Sequence, residues 1–144
     1  MNDRPSAPEL IDAVRQHLEG QVLPLAKRES HKLYFQTLVA VNVLRIVARE
    51  WALGAGHWLA EWQRLDAILG QEALPARDEA LREALVARNA TLCAAIRAGQ
   101  HDDASAALFN HLKACAIEQL TVANPKFLAA LAQEDAQLSQ SAKN

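Results

Sequence analysis

A narrow band of polar side chains runs along residues 39–50, a stretch that is otherwise apolar and helical in pattern. On a helical wheel advancing about 100° per residue, Asn42, Arg45 and Arg49 fall within about 60° of one another. Glu50 lies about 80° from Asn42 on the same wheel. Two arginines four residues apart repel each other mildly, which favours a place where carboxylates or a bound anion separate them. The band is therefore the first candidate for chemistry in this chain.

Two interpretations of this band stay open. In the first, it is a strip of solvent exposure on a mostly covered helix, with arginine stems on apolar neighbours and guanidinium groups in water. In the second, it is an internal polar seam, whose buried charges require partners. The candidate partners on other helices are Asp12, Asp66, Glu118 and Asn89. Such a seam more often fixes the register of helices than carries out chemistry.

Tryptophans mark a second candidate region. Trp58 and Trp62 are four residues apart, and His57 and Glu61, interpreted as a surface ion pair, have the same spacing beside them. The indoles would form the wall of a pocket between the predicted second, third and fourth helices. An apolar wall with arginines nearby favours an acyl or CoA-type anion. The residues predicted to bind a ligand are Asn42, Arg45, Arg49, Glu50, Arg88, Asn89, Trp58 and Trp62.

A third candidate is a possible metal-binding face. His111 and Cys115 are four residues apart, and Glu118 follows one turn later, so one helical face could hold a metal ion. No fourth ligand is evident from the spacing, and a helical cysteine is commonly a small core residue. We therefore predict no metal site and no cofactor.

Three common catalytic or phosphate-binding motifs are missing from the sequence. It contains no G-x-S-x-G, no phosphate-binding glycine loop and no H-E-x-x-H. No catalytic residues are predicted. The polar segment that precedes the fifth helix is interpreted as helix capping with favourable dipole charge, from His101, Asp102 and Asp103.

Composition limits the class of protein. The chain has 144 residues, 51% of them hydrophobic, and a net charge of −2, which suits one folded domain with a core. Without a basic patch, a nucleic-acid partner is not expected. Apolar runs far below about 20 residues predict no membrane span. Cys93 and Cys115 are expected to be reduced thiols, and with no signal-peptide core at the N-terminus the predicted location is cytoplasmic.

The spacing of apolar residues predicts an all-α fold. They recur at three and four residues, and alanine and leucine dominate. We predict a single-domain bundle over residues 1–144, with flexible ends at 1–5 and 138–144. It has five main helices and a short C-terminal helix, with the long second helix at the centre and enclosed by its neighbours.

The helix boundaries follow from caps and breakers. The first helix begins at a capping box, Ser6 to Glu9, and ends before Pro24. The second runs over about residues 30–53 and is stopped or bent by Gly54 and Gly56. The later helices cover about 57–69 and the stretch from Pro75 or Asp78 to Gly99; a fifth helix follows the acidic segment "QHDD", and a last one starts near Lys126. Their predicted core faces are Trp58, Trp62, Leu65 and Leu69; Leu81, Leu85, Leu92 and Ile96; and Leu108 or Phe109, Leu112, Ala116 and Leu120.

Four segments carry a resemblance to a known family. They are "APELIDAVRQHLEGQVLP", "VAVNVLRIVARE", "NATLCAAIRAG" and "VANPKFL", and their order resembles a small bacterial family of unknown function across nearly the whole chain. The connection "AKRESHK" departs from the shorter, more apolar one of that family. The family has no established catalytic residues. The positions that carry the resemblance are Asn42, Arg49, Glu50, Leu92, Cys93, Ile96, Arg97, Gly99, Asn124 and Pro125.

The resemblance implies a genomic setting. Members of that family lie beside genes for aminoglycoside-phosphotransferase-like kinases and acyl-CoA dehydrogenases. Our first hypothesis is therefore a non-catalytic interaction protein, a partner or regulator of a phosphotransferase-like kinase or an acyl-CoA-handling system, or a homodimer. The alternative is a small-molecule binding protein or modest enzyme that uses the predicted pocket.

Overall fold

The computed structural model describes residues 4–101 and 106–141, and within them the chain is all-α, as predicted. Asp102 and Asp103, which were predicted to cap a helix, lie outside the described residues, as do parts of the predicted flexible ends. The helices are α1 (Ala7–His17), α2 (Leu23–Glu29), α3 (His31–Leu69), α4 (Asp78–Arg97), α5 (Ala106–Ala123) and α6 (Pro125–Ser141).

The first helix does not end before Pro24. A π-helical segment, Leu18–Val22, joins α1 to α2, and the Leu23 N–H donates to the Leu18 carbonyl five residues earlier. Proline has no N–H, and its ring collides with the carbonyl four residues before it in a regular helix. The wider π turn relieves that collision and lets the helix continue past the proline to Glu29.

The predicted second and third helices are one helix. α3 is 39 residues long and passes through Gly54 and Gly56 without a break, so the predicted stop at these glycines is wrong. One glycine weakens a helix by only about 1 kcal/mol relative to alanine, and the strong helix formers on both sides outweigh this. The C-terminal helix α6, at 17 residues, is also longer than predicted.

The chain divides into two compact units, Met1–Gly54 and Ala55–Asn144, and α3 contributes residues to both. The prediction of a single domain stays a prediction.

The second unit has a core of large apolar side chains. Leu65 is fully buried, and the cluster around it consists of Trp62, Leu81, Leu85 and Leu92, flanked by Trp58, Ile68, Leu69, Ala84 and Leu108. These are most of the residues predicted for α3 and α4. Ile96, however, is 38% exposed and lies outside the core.

α5 turns inward a face that matches the predicted one only in part, because Leu108 packs against the core but the next inward position is His111. Phe109 and Leu112 are exposed, while His111 and Val122 are buried and Cys115 is half-buried. The inward positions are spaced by three, four and seven residues, whereas the prediction followed the leucines at steps of four. The inward face therefore carries polar groups, which become the centre of the candidate site.

The N-terminal part of α3 is not enclosed as predicted. Thr37 and Val41 are buried, and the Thr37 hydroxyl donates to the Leu33 carbonyl at 2.8 Å. Several large apolar side chains on the same segment are exposed, among them Phe35 and Trp51 at 64% and 62%. Helix-forming residues specify the helix here, but helix propensity does not fix which of its faces are covered. Within the described residues, no helix is long and apolar enough to cross a membrane.

Candidate functional site

The predicted ligand-binding residues fall in both units. Four of them lie on the first part of α3, where Asn42, Arg45 and Glu50 are exposed and Arg49 is half-buried. The other four, Trp58, Trp62, Arg88 and Asn89, lie in the second unit.

Arg45 belongs to a surface chain of charges in the first unit. It pairs with Glu19, which also accepts from Arg15 Nη1 at 2.6 Å, and Arg15 Nη2 in turn donates to Asp12 at 2.5 Å. The hydrogen bond from Arg15 lowers the pKa of Asp12. With Arg45 47% exposed, this arrangement matches the interpretation as a strip open to solvent. The partner of Arg45 is Glu19, which was not among the acids predicted to pair with the polar band.

Arg88 is the most deeply buried cation of the second unit among the described residues. Its side chain is 4% exposed, Nη1 donates to Asp66 Oδ1 at 2.7 Å, and Nη2 donates to the Gly70 carbonyl at 2.7 Å. The guanidinium carbon lies 4.4 Å from the centre of the Trp62 ring. Both terminal nitrogens are thus bonded within the protein, whereas the buried Nε makes no hydrogen bond and lies 3.7 Å from Glu72 Oε1.

A cavity of about 570 Å³ opens in the second unit. Its wall combines one indole, two amides, three carboxylates and one guanidinium, and Arg82 lies over the Trp58 ring at 5.1 Å. The lining residues are Trp58, Glu61, Glu79, Arg82, Glu83, Leu85, Val86, Asn89 and Gln119. Asn89 and Trp58, two predicted ligand-binding residues, thus line the same cavity.

Glu61 connects this cavity to a cluster of metal-ligand side chains. One atom each from Glu61, His111 and Cys115 lies within 4.8 Å of the other two. His111 is 2% exposed, and its Nε2 and Nδ1 lie 3.7 and 3.9 Å from Cys115 Sγ. Asn89 Nδ2 donates to Glu61 Oε1 at 2.6 Å. α3 and α5 together therefore bring a carboxylate, an imidazole and a thiol to one point.

Arg64 completes the polar face. It donates to both carboxylate oxygens of Glu118, at 2.9 and 2.6 Å, and its Nη2 lies 3.7 Å from Cys115 Sγ. Burial lowers the pKa of His111, and the positive charge of Arg64 lowers it further. Burial also raises the pKa of the Cys115 thiol.

The directions of these pKa shifts differ from those of a nucleophilic cysteine. A nucleophilic cysteine works as a thiolate, often beside an imidazolium, so its pKa is lowered and that of histidine is kept high. Here burial favours the neutral thiol and the neutral imidazole. Both shifts run opposite to those that a cysteine nucleophile requires.

Sequence reasoning found His111 and Cys115 but missed Glu61 as their companion. Glu61 was interpreted as the surface partner of His57, but it is half-buried and hydrogen-bonded to Asn89. No spacing in the sequence joins residue 61 to residues 111 and 115. The signal available was the i, i+3, i+7 pattern of Leu108, His111 and Cys115, which places the polar pair on the core face.

A separate feature lies in the first unit, on the outer side of α3. Five large apolar side chains follow one another at steps of four residues and are 41–64% exposed. We call them the α3 row: Phe35, Val39, Val43, Val47 and Trp51. Side chains four residues apart form a continuous ridge on a helix. The row is thus a ridge of apolar surface available for packing.

Comparison with known proteins identifies a family and nothing more specific. The family described as "Domain of unknown function (DUF6285)" matches residues 27–127. No curated protein and no solved structure matches the chain.

Proposed function

Since the chain belongs to the DUF6285 family, whose function is unknown, we propose a function from its own surface. It is a non-catalytic interaction protein that pairs with a second copy of itself through the α3 row. The observation that carries this proposal is the exposure of five large apolar side chains in one continuous ridge. Large exposed apolar patches on soluble proteins mark interaction sites.

The geometry of the ridge suits another helix. Ridges of residues spaced by four pack into the matching grooves of a second helix at a crossing angle near −50°, the commonest class of helix packing. The α3 row spans 17 residues, from Phe35 to Trp51, and so supplies more than four turns of such a ridge.

The order of side chains favours a second copy as the occupant. The row reads aromatic, valine, valine, valine, aromatic, so it is symmetric in size about Val43. In a twofold, antiparallel pair, Phe35 would lie opposite the partner's Trp51, and Val39 opposite the partner's Val47. Such a self-complementary patch is what a twofold interface requires. Large ends would meet large ends, and β-branched residues would fill the centre.

The polar residues beside the row agree with this pairing. Gln36 and Glu50 are exposed and lie within about 20° of the centre of the row on the helical wheel. They are also equally distant from Val43 in sequence. In the antiparallel pair, the Gln36 amide would therefore donate to the partner's Glu50 carboxylate, so no like charges face each other near the centre of the interface.

The test is the mass of the protein in solution as a function of concentration, by light scattering and sedimentation equilibrium. We expect a dimer for the wild type. Val43→Arg places two like charges at the twofold axis, which should weaken the dimer by about 100-fold or more. Leu138→Arg on α6, where the leucine is 69% exposed, is the control and should leave the dimer intact. A wild type that stays monomeric at high concentration, or a Val43→Arg variant that dimerises normally, would overturn the proposal.

A kinase-like or acyl-CoA-handling partner is the second part of the proposal, and it rests on the family resemblance. Co-purification with a phosphotransferase-like kinase tests it. If Val43→Arg abolishes that complex while the wild type alone is monomeric, the α3 row binds the kinase and not a second copy.

The cavity supports a second candidate function, the binding of a small molecule. Its wall carries three carboxylates and one guanidinium, so it favours a cationic ligand over the acyl or CoA-type anion expected from the sequence. A thermal-shift screen with amines and CoA esters compares the two. Binding at 100-fold over Kd should add about 2.7 kcal/mol of stability. If neither class shifts the Tm, the cavity is not a ligand site for these compounds.

A further inference from the structure

We propose that Glu61, His111 and Cys115 bind a divalent metal ion of the zinc type, each through one atom. This proposal does not rest on the α3 row or on self-association. It rests on the meeting of three ligand side chains from α3 and α5, in the second unit of the chain.

The spacing of the ligand atoms fits a tetrahedral ion. Bonds of about 2.0–2.3 Å at tetrahedral angles place ligand atoms about 3.3–3.6 Å apart. The His111 Nε2 to Cys115 Sγ distance is 3.7 Å, and all three ligand atoms lie within 4.8 Å of one another. Side-chain movements of about 1 Å would therefore bring the three atoms to coordination distance of one ion.

The kinds of ligand indicate which ion. Thiolate and imidazole ligands select zinc and similar transition metals, whereas magnesium and calcium take oxygen ligands. His111 is almost fully buried, and Cys115 is half-buried beside it. The Cys115 thiol is itself only a weak hydrogen-bond donor and acceptor, so its contact with the imidazole contributes little without a metal.

Neighbouring groups hold the ligands in place. Asn89 donates to one oxygen of Glu61 at 2.6 Å, which leaves the other oxygen for the ion. Arg64 lies 3.7 Å from Cys115 Sγ, and its charge would stabilise the thiolate once the metal displaces the proton. Such outer contacts orient ligands in metal sites and tune their basicity.

Three protein ligands leave one coordination position for water or a small ligand. This number is typical of catalytic zinc sites, whereas structural sites have four protein ligands. Glu61 also lines the 570 Å³ cavity. The class of ligand expected at the fourth position is therefore a water molecule or a small metal-coordinating group that enters through this cavity.

The experiment uses the full chain, freed of metal by dialysis against a chelator and then titrated with Co²⁺ as the probe. We expect one equivalent to bind, with the intense visible absorption of tetrahedral Co²⁺ and a thiolate-to-cobalt charge-transfer band. Zn²⁺ should then displace Co²⁺ and abolish both bands. Weak octahedral absorption, no charge-transfer band or no saturation at one equivalent would overturn the proposal.

Variants assign the ligands. Cys115→Ser should abolish the charge-transfer band, and Glu61→Gln and His111→Gln should each weaken Co²⁺ binding by at least about 10-fold. Cys93→Ser is the matched control, because Cys93 is the other cysteine and is exposed; it should leave the spectrum unchanged. Glu61→Gln is isosteric and is expected to fold, which circular dichroism checks. If Glu61→Gln and Cys115→Ser both bind Co²⁺ normally, the ion binds elsewhere. The same conclusion follows if Cys93→Ser loses the charge-transfer band.

Discussion

Arg88 and Asp66 share a hydrogen bond of 2.7 Å, between Nη1 and Oδ1, although the arginine side chain is only 4% exposed. Nη2 of the same guanidinium donates to the carbonyl of Gly70, just beyond the C-terminus of α3. The last carbonyls of a helix have no partners within the helix, and cations are favourable near them. Arg88 therefore attaches α4 to the end of α3 by charge and by hydrogen bonds.

Removing this attachment should destabilise the protein strongly. In Arg88→Met the apolar bulk is kept, but Asp66 loses its ion-pair partner and the Gly70 carbonyl loses the guanidinium donor. Breaking a buried ion pair in this way costs about 3–5 kcal/mol, and because Asp66 is 23% exposed we expect the lower end. Urea unfolding followed by circular dichroism measures this difference.

Arg88→Lys is the matched variant for the same test. It keeps the charge but can place only one ammonium group between Asp66 and Gly70, so the loss should be smaller than for methionine. A loss below about 1 kcal/mol in Arg88→Met would mean that the pair is open to water in solution.

Gly56 and Gly70 should respond in opposite ways to the same substitution. Gly56 lies inside α3, and a Cβ there meets nothing within 4 Å. Gly56→Ala should therefore raise the free energy of unfolding by about 0.5–1 kcal/mol. Gly70 has a φ of 98°, so Gly70→Ala should lower it by about 1–3 kcal/mol. Thermal or urea unfolding measures both, and a destabilised Gly56→Ala would show that α3 is broken at this point.

The hydrogen bonds of Glu9 predict that the stability of the fold decreases at acid pH. Glu9 Oε2 accepts hydrogen bonds from the backbone N–H and the hydroxyl of Ser6, at 2.7 and 2.9 Å, and these bonds lower the pKa of Glu9. A carboxyl group whose pKa is lower in the folded state stabilises that state above its unfolded pKa of about 4.3. The contribution is lost as the pH falls through the folded pKa.

The measurement compares wild type with Glu9→Gln. We expect the variant to be less stable at pH 7 and the difference in Tm to shrink as the pH falls below about 4.3. Glu79→Gln on the first turn of α4, where Glu79 is exposed, is the control for the removal of an acidic charge near a helix N-terminus. If the difference in Tm between wild type and Glu9→Gln does not vary with pH, the charged form of Glu9 is not its source.

The sequence predicted helices well and helix faces less well. Capping at Ser6, the start of α4 at Asp78 and the core positions Trp62, Leu65, Leu81, Leu85 and Leu92 are all found in the structure. These follow from local hydrogen bonding and from apolar periodicity. For α5 the leucine pattern predicted the inward face only in part: Leu108 packs against the core, but His111 is buried where Leu112 was expected, and only packing selects between the two patterns.

What the sequence determined by itself is local: an all-α chain, the caps, and the cores of α3 and α4, since helix propensity and spacing act over a few residues. What only the tertiary structure decided is which distant groups meet. Residue 61 reaches residues 111 and 115, and residue 88 reaches residue 66, because packing of α3, α4 and α5 places them together. No local rule contains those distances, and the proposed metal site depends on them.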